Sequence, residues 1–310
     1  MVQLSVIIPT YNNAPYLERC ISSLLPIDSS MQIIVVDDGS TDNTQQVLTA
    51  IKNRIPQIEI ICQSNLGVSS ARNAGIKKAT GRFVLFVDAD DCLFSNVVQA
   101  LVRKCEYCES DVIVMRSFRE DAELYKWSHL FCEDNVYYGV DLMKSGYIRG
   151  SVCGCAFRTH FLRDNRVSFI EDLTIAEDTV FFACVLSAGA SVSFADIKLY
   201  DVVPRQGSAS RNYSPAFLSR YSNAIYALRS RVENRCIADN TLLSLLLGIV
   251  NIAVKIKVSP LETAKLCAVQ KVLPLSTAVF YRQKWFVIIL NYCFPLFYGI
   301  KKWKDKLFGS

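Results

Sequence analysis

The chain has 310 residues, 51% of them hydrophobic and 20% charged, with a formal net charge of +5. That length can bury one large α/β domain and an appendage, as in a globular enzyme. Its twelve cysteines show no disulfide framework, and neither the GxGxxG nor the GxxxxGK[ST] pattern occurs, which argues against a standard dinucleotide or NTPase site. In chain order, Leu4-Ser5-Val6-Ile7-Ile8 predicts a short strand. It is followed by the turn Pro9-Thr10-Tyr11-Asn12-Asn13 and a helical pattern at Tyr16-Leu17, Cys20-Ile21 and Leu24-Leu25. Ile33-Ile34-Val35-Val36 predicts a second strand, running into Asp37-Asp38-Gly39-Ser40. Thr41-Asp42-Asn43-Thr44 then offers several N-cap residues for the next helix. Phe83-Val84-Leu85-Phe86-Val87 is a third strand, ending in Asp88-Ala89-Asp90-Asp91.

This alternation of strand, polar turn and helix predicts a parallel sheet with crossover helices. Ligands bind beyond the carboxyl ends of strands in such sheets, and Tyr11, Asp38 and Asp88 all fall at those ends. Crowded carboxylates repel, and burying them unpaired is costly. A hard divalent cation that leaves room for substrate phosphate resolves that conflict. An exposed acidic turn in which Asp91 caps a helix is the plain alternative.

Further along, Glu177 and Asp178 precede the apolar run Val180 to Leu186. They suit the positive end of a helix dipole, and a carboxylate there could also accept a proton from an attacking hydroxyl. Lys198 to Val203 predicts a strand leading into Pro204-Arg205-Gln206-Gly207-Ser208, where Arg205 and Ser208 could donate to phosphate oxygens or simply belong to a surface loop. Tyr125, Trp127, Phe131, Tyr137 and Tyr138 read as core before sugar-stacking residues. Cys105-x-x-Cys108, Cys153-x-Cys155, His129 and His160 lack metal or triad spacing. After Tyr213-Ser214-Pro215 the chain reads as helical from Phe217 to Ile256.

Residues 255–310 carry ten Lys/Arg against Glu262 and Asp305, or +8, which leaves −3 for residues 1–254. Residues 285–300 are apolar, but sixteen residues make a helix of about 24 Å against a hydrocarbon core of roughly 30 Å. Asn291 and Pro295 also interrupt the stretch. Its aromatics, flanked by Lys301, Lys302, Lys304 and Lys306, suit a segment lying on a membrane surface; a packed helical lid is the alternative. The first apolar run is too short for a secretory leader, so a cytoplasmic, reducing setting on the inner face of the cell membrane is expected.

Five motifs taken in order resemble glycosyltransferase family 2. They are Pro9-Thr10-Tyr11-Asn12, Val36-Asp37-Asp38-Gly39-Ser40, Asn65-x-Gly67 with Ala71-Arg72-Asn73, Asp88-Ala89-Asp90-Asp91 and Glu177-Asp178. The resemblance covers about residues 3–213. It implies the GT-A fold, a mixed α/β sheet flanked by helices, here with a C-terminal helical appendage. The division expected is 1–213 for the transferase domain, with a nucleotide half at 1–104 and an acceptor half at 105–213, and 214–310 for the appendage.

The resemblance further implies inverting, Mn²⁺- or Mg²⁺-dependent transfer from a nucleotide-diphospho-sugar, with UDP favoured by Asp38, to a saccharide or lipid-linked saccharide acceptor in bacterial surface polysaccharide synthesis. Pro9 and Tyr11 would flank the nucleoside, Asp38 would take the base, Asp88 the ribose and Asp90 the metal. Arg72 would reach the diphosphate or sit on an exposed helix face. Asp178 would be the base and Glu177 its support, and no nucleic acid is implied. Ser151 to Arg158 departs from the pattern, holding small residues where many relatives carry a Trp and a basic residue, so acceptor identity does not carry over. A nucleotidyltransferase and a non-catalytic nucleotide-sugar-binding module are the rival readings. The first lacks a glycine-rich basic loop after the first strand, and the second has no need of Asp90 and Asp178.

Overall fold

A computed structural model describes residues 1–94, 97–116, 128–131, 135–145, 147, 150–201, 213–267 and 269. Arg205, Ser208, Tyr125, Trp127 and the basic apolar tail lie outside the described residues. The chain divides into two compact units. One comprises Met1–Tyr138, Ser151–Asp172 and Ala188–Pro204, the other Gly139–Gly150, Leu173–Ser187 and Arg205–Ser310.

The first unit holds an eight-stranded sheet of order β3-β2-β1-β4-β8-β6-β9-β7. The strands are β1 (Leu4–Thr10), β2 (Met31–Asp37), β3 (Ile58–Cys62), β4 (Phe83–Phe86), β6 (Val112–Arg116), β7 (Val136–Tyr138), β8 (Cys155–Arg158) and β9 (Ser191–Lys198). β5 (Cys92–Leu93) and β10 (Tyr200–Asp201) form a separate antiparallel pair. β3, β2, β1 and β4 run parallel, as the alternating pattern predicts. β8 enters antiparallel between β4 and β6, so the sheet is mixed.

Every residue of β1 and β2 is buried, which is why both read as nearly unbroken apolar runs. Two of their polar residues pair with each other: the Ser5 hydroxyl donates to Gln32 Oε1 at 2.6 Å, and the same oxygen accepts from Thr80 N–H. β3 escapes the sequence pattern because only Ile58 is buried on this edge strand and Glu59 interrupts it.

Pro9 sits in the central strand at little cost. Ile7 pairs with Phe86 and its carbonyl accepts from Val87 N–H, so Pro9, two residues on, faces the same flank after β4 has ended. Its missing N–H therefore removes no ladder bond there.

Crossover helices α1 (Ala14–Ser22), α2 (Thr44–Arg54), α3 (Val68–Lys78) and α4 (Val97–Tyr107) follow the strands. α1 buries Ala14, Leu17, Cys20 and Ile21, the one-face spacing of an amphipathic helix. α3 is different, burying Ser69, Ser70, Ala71, Arg72, Asn73, Gly75 and Ile76. Small residues let it lie close on β1: a Cβ at Gly75 would fall 2.3 Å from Ile7 Cγ2, and Ile7 is fully buried. Arg163 holds the far end, donating to the carbonyls of Ile76 and Ala79 at 2.8 and 2.6 Å.

Among the described residues the second unit holds the helices Gly139–Ser145, Glu177–Ser187, Pro215–Ser219, Tyr221–Arg231, Arg235–Lys255 and Pro260–Leu266. Ser214 caps Pro215–Ser219 by accepting from Phe217 N–H, one of the amides that a helix start leaves unpaired. Among the described residues one helix, Arg235–Lys255, is long and apolar enough to cross a membrane, and 72% of its apolar window is buried inside the protein. It carries Asp239, wholly buried and paired with Arg229 at 2.6 Å and Arg235 at 3.7 Å.

Candidate active site

At the carboxyl ends of β1, β2 and β4 the first unit opens a cleft of about 200 Å³. Its walls are Pro9, Thr10, Tyr11, Asn13, Asp38, Val68, Ala71, Asp88, Ala89 and Asp90. Five residues singled out from the sequence, Pro9, Tyr11, Asp38, Asp88 and Asp90, thus share one cavity. Thr10, Asn13, Val68, Ala71 and Ala89 were not foreseen as lining residues, although Thr10, Ala71 and Ala89 belong to the quoted motifs.

The loops after β1 and β2 are stitched together. Asn12, in the left-handed region at φ 52° that Asn tolerates, accepts through Oδ1 from Thr41 N–H at 2.8 Å. Its own N–H donates to Ser40 Oγ at 2.9 Å, and Asn13 N–H donates to Thr44 Oγ1 at 3.2 Å. The Asn-Asn pair after Tyr11 is the sequence signal for this turn chemistry. The result fixes Tyr11 at the rim with 43% of its surface exposed, leaving an aromatic face open to a planar ligand.

Asp38 is only 4% exposed. Oδ1 accepts from Gln63 Nε2 and from Leu66 N–H, and Oδ2 accepts from Gly67 N–H, all at 2.8 Å. A carboxylate has about four lone-pair sites, so one remains on Oδ2 for a ligand N–H. Gly67 precedes α3 at φ 92°, a conformation that favours glycine. Asp37, whose part the sequence left open, is fully buried and accepts from Ser40 N–H at 3.0 Å, so it holds the loop.

The acidic turn is anchored by its backbone. The Asp88 carbonyl accepts from Asp91 N–H at 2.9 Å and from the Cys20 thiol at 3.7 Å, and the Asp90 carbonyl accepts from Arg19 at 3.2 Å. Below it, the Tyr200 hydroxyl donates to the Phe86 carbonyl at 2.7 Å. Complete burial, with Cys153, Asp88, Asp91 and Cys20 nearby, pushes that phenol well above its usual range, so it stays a donor.

Asp88 has 41% of its side chain exposed and pairs with Arg72 at 3.2 Å. Arg72 itself corrects the expectation of an exposed helix residue: its side chain is 4% exposed and it is not among the cleft's lining residues.

Among the described residues no group of three or more His, Cys, Asp or Glu side chains forms a closed metal cage. The cleft instead offers hard carboxylate oxygens from Asp88 and Asp90 and no sulfur or imidazole. That donor set fits Mg²⁺ or Mn²⁺, which complete their shells with water and phosphate oxygens.

In the second unit, Glu177 and Asp178 form the first turn of Glu177–Ser187, directly after Ala176 at φ 57°. A non-glycine residue held in that region marks local strain of the kind seen at functional sites. Tyr213, Phe217 and Tyr221, spaced four residues apart, pack edge to face with ring centres 5.5 and 6.0 Å apart. Burial pushes Tyr221 up to about 12, with Tyr213, Cys267 and Glu177 adding to the effect, so Tyr221 is a hydrogen-bond donor and not a base at neutral pH.

This chain belongs to glycosyl transferase family 2, whose family model matches residues 5–164. It is 30% identical over 205 residues to the glycosyltransferase EpsJ of Bacillus subtilis, covering 64% of this chain and 60% of EpsJ. It is also 30% identical over 224 residues to the poly(ribitol-phosphate) beta-N-acetylglucosaminyltransferase TarS of Staphylococcus aureus, covering 71% of this chain but 38% of TarS. The chain therefore spans less than two thirds of either relative. The crystal structure of S. aureus TarS 1-349 in complex with UDP-GlcNAc superposes with a TM-score of 0.73 at 21% identity, over 99% of this chain and 92% of that one. The GT-A fold is thereby established.

Asp38 is expected to hold the loop as well as ligand. In Asp38→Asn, one acceptor oxygen becomes an NH₂ donor, which faces the Leu66 N–H where it replaces Oδ1 or the Gly67 N–H where it replaces Oδ2. Removing a buried hydrogen-bond acceptor costs about 1–3 kcal/mol. Urea unfolding should register that loss, and hydrogen exchange should quicken at Leu66 or at Gly67. Unchanged exchange at both amides would contradict the assignment.

Proposed function

We propose that the chain transfers a sugar, a hexosyl or N-acetylhexosaminyl group, from a UDP-sugar to a hydroxyl of a saccharide or lipid-linked saccharide acceptor, with inversion at the anomeric carbon. The observation that carries this reading is the cleft in which Pro9, Tyr11, Asp38, Asp88 and Asp90 meet. Tyr11 supplies a face for the base, and the remaining Asp38 lone pair accepts a uracil N–H. Asp88 accepts from the ribose hydroxyls. Asp90 holds a divalent cation, Mn²⁺ or Mg²⁺, which when bound offsets the charge growing on the departing diphosphate.

Asp178 takes the proton from the attacking hydroxyl, and Glu177 supports it. Both occupy the first turn of a helix, which supports ionised side chains there. Arg205 and Ser208 donate to the donor phosphates. Residues 1–213 carry the transferase chemistry and 214–310 form the appendage. The activity for which TarS is named favours a UDP-N-acetylhexosamine donor and a bacterial surface polymer as setting. The surplus of lysines near the C-terminus supports a peripheral place on the cytoplasmic face of the membrane.

A panel of nucleotide sugars with Mn²⁺, scored for nucleoside diphosphate released on adding saccharide and lipid-linked acceptors, tests the reading. UDP release is expected. Asp178→Asn should lower it by about 10²–10⁴-fold, the usual share of general base catalysis, while UDP still binds. Release that survives this substitution unchanged with a working acceptor would remove Asp178 from its role.

A further inference from the structure

Arg72 is enclosed on every side that the distances record. Its guanidinium donates to Asp88 Oδ1 at 3.2 Å, and its central carbon lies 5.2 Å from the centroid of the Phe169 ring. Phe169 in turn meets Phe86 edge-on, ring centres 5.3 Å apart at 90°. The next residue of α3, Asn73, grips Phe169 by both backbone groups: its amide donates to the Phe169 carbonyl at 2.9 Å, and its Oδ1 accepts from Phe169 N–H at 2.9 Å. A second amide hydrogen goes to Glu171 Oε1 at 3.1 Å. The Ala71-Arg72-Asn73 segment thus builds a backing behind the Asp88 carboxylate, which is 41% exposed and lines the cleft.

We propose that Arg72 is a positioning residue that acts on the donor through Asp88 and not by meeting the diphosphate, with Asn73 and Phe169 fixing its plane. This rests on the UDP-sugar reading above. Arginine suits the task better than lysine, because a flat guanidinium can stack on Phe169 and donate sideways to a carboxylate at once. Its charge also reduces the repulsion that Asp88 exerts within the acidic turn.

Two ligands separate the possibilities: uridine, which has no phosphate, and UDP. Their dissociation constants are measured by titration calorimetry for the wild type, Arg72→Gln, Asp88→Asn and the double variant. Arg72→Gln is expected to weaken uridine and UDP by the same factor, on the order of tenfold for a lost charge-assisted contact. The double variant should bind both within about twofold of Asp88→Asn alone, since coupled residues do not add. Arg72→Lys, which keeps the buried charge, carries the same comparison if the glutamine variant does not fold. Weakened UDP binding with unchanged uridine binding overturns the proposal alone, as do losses that multiply in the double variant. A wild-type chain that binds neither ligand overturns the donor reading itself and this proposal with it.

Discussion

Three parallel strands, β1, β2 and β4, end at one cleft, to which they deliver Tyr11, Asp38 and Asp88. That convergence is the constraint on which the rest of the nucleotide half depends. The register leaves no slack: Thr10 pairs with Asp37 and Ile7 with Phe86, so Tyr11, Asp38 and Asp88 must emerge together. Like charges gathered in this way destabilise the fold unless each is answered. Asp38 is answered by three N–H donors and Asp88 by Arg72. The backbone of the acidic turn is tied down by Asp91, Cys20 and Arg19.

The same bonds that make the loops rigid also prepare a surface for a ligand. Asp38 closes the segment from Gln63 to Gly67 while keeping one lone pair in reserve. α3 can bring Ala71 and Val68 to the cleft because Gly75 lets it approach Ile7 without a Cβ in the way. In both cases the requirements of folding and of binding fall on one residue, so loss of stability and loss of affinity should travel together at these positions.

Much of this was legible in the chain itself. β1, β2 and β4 announced themselves because strands buried on both faces must be apolar throughout, and the acids stood out against them. The resemblance to glycosyltransferase family 2 gave the fold, which the mixed sheet bears out. β3 was missed because an edge strand with one fully buried residue leaves little pattern. The burial of Arg72 was missed for a deeper reason: its partners, Asp88 and Phe169, lie 16 and 97 residues away, and no local periodicity encodes such a contact. Asn12 bridging to Thr41 is hidden for the same reason.

The central claim is that Tyr11 after β1 and the acids after β2 and β4 form the floor of a nucleoside diphosphate site. A crystal structure of the full chain grown with UDP and Mn²⁺ tests it most directly. The account predicts a uracil against Tyr11 with its N–H on Asp38, a ribose at Asp88 and the cation on Asp90. UDP bound away from this cleft, or within it without touching Asp38 or Asp88, would contradict it.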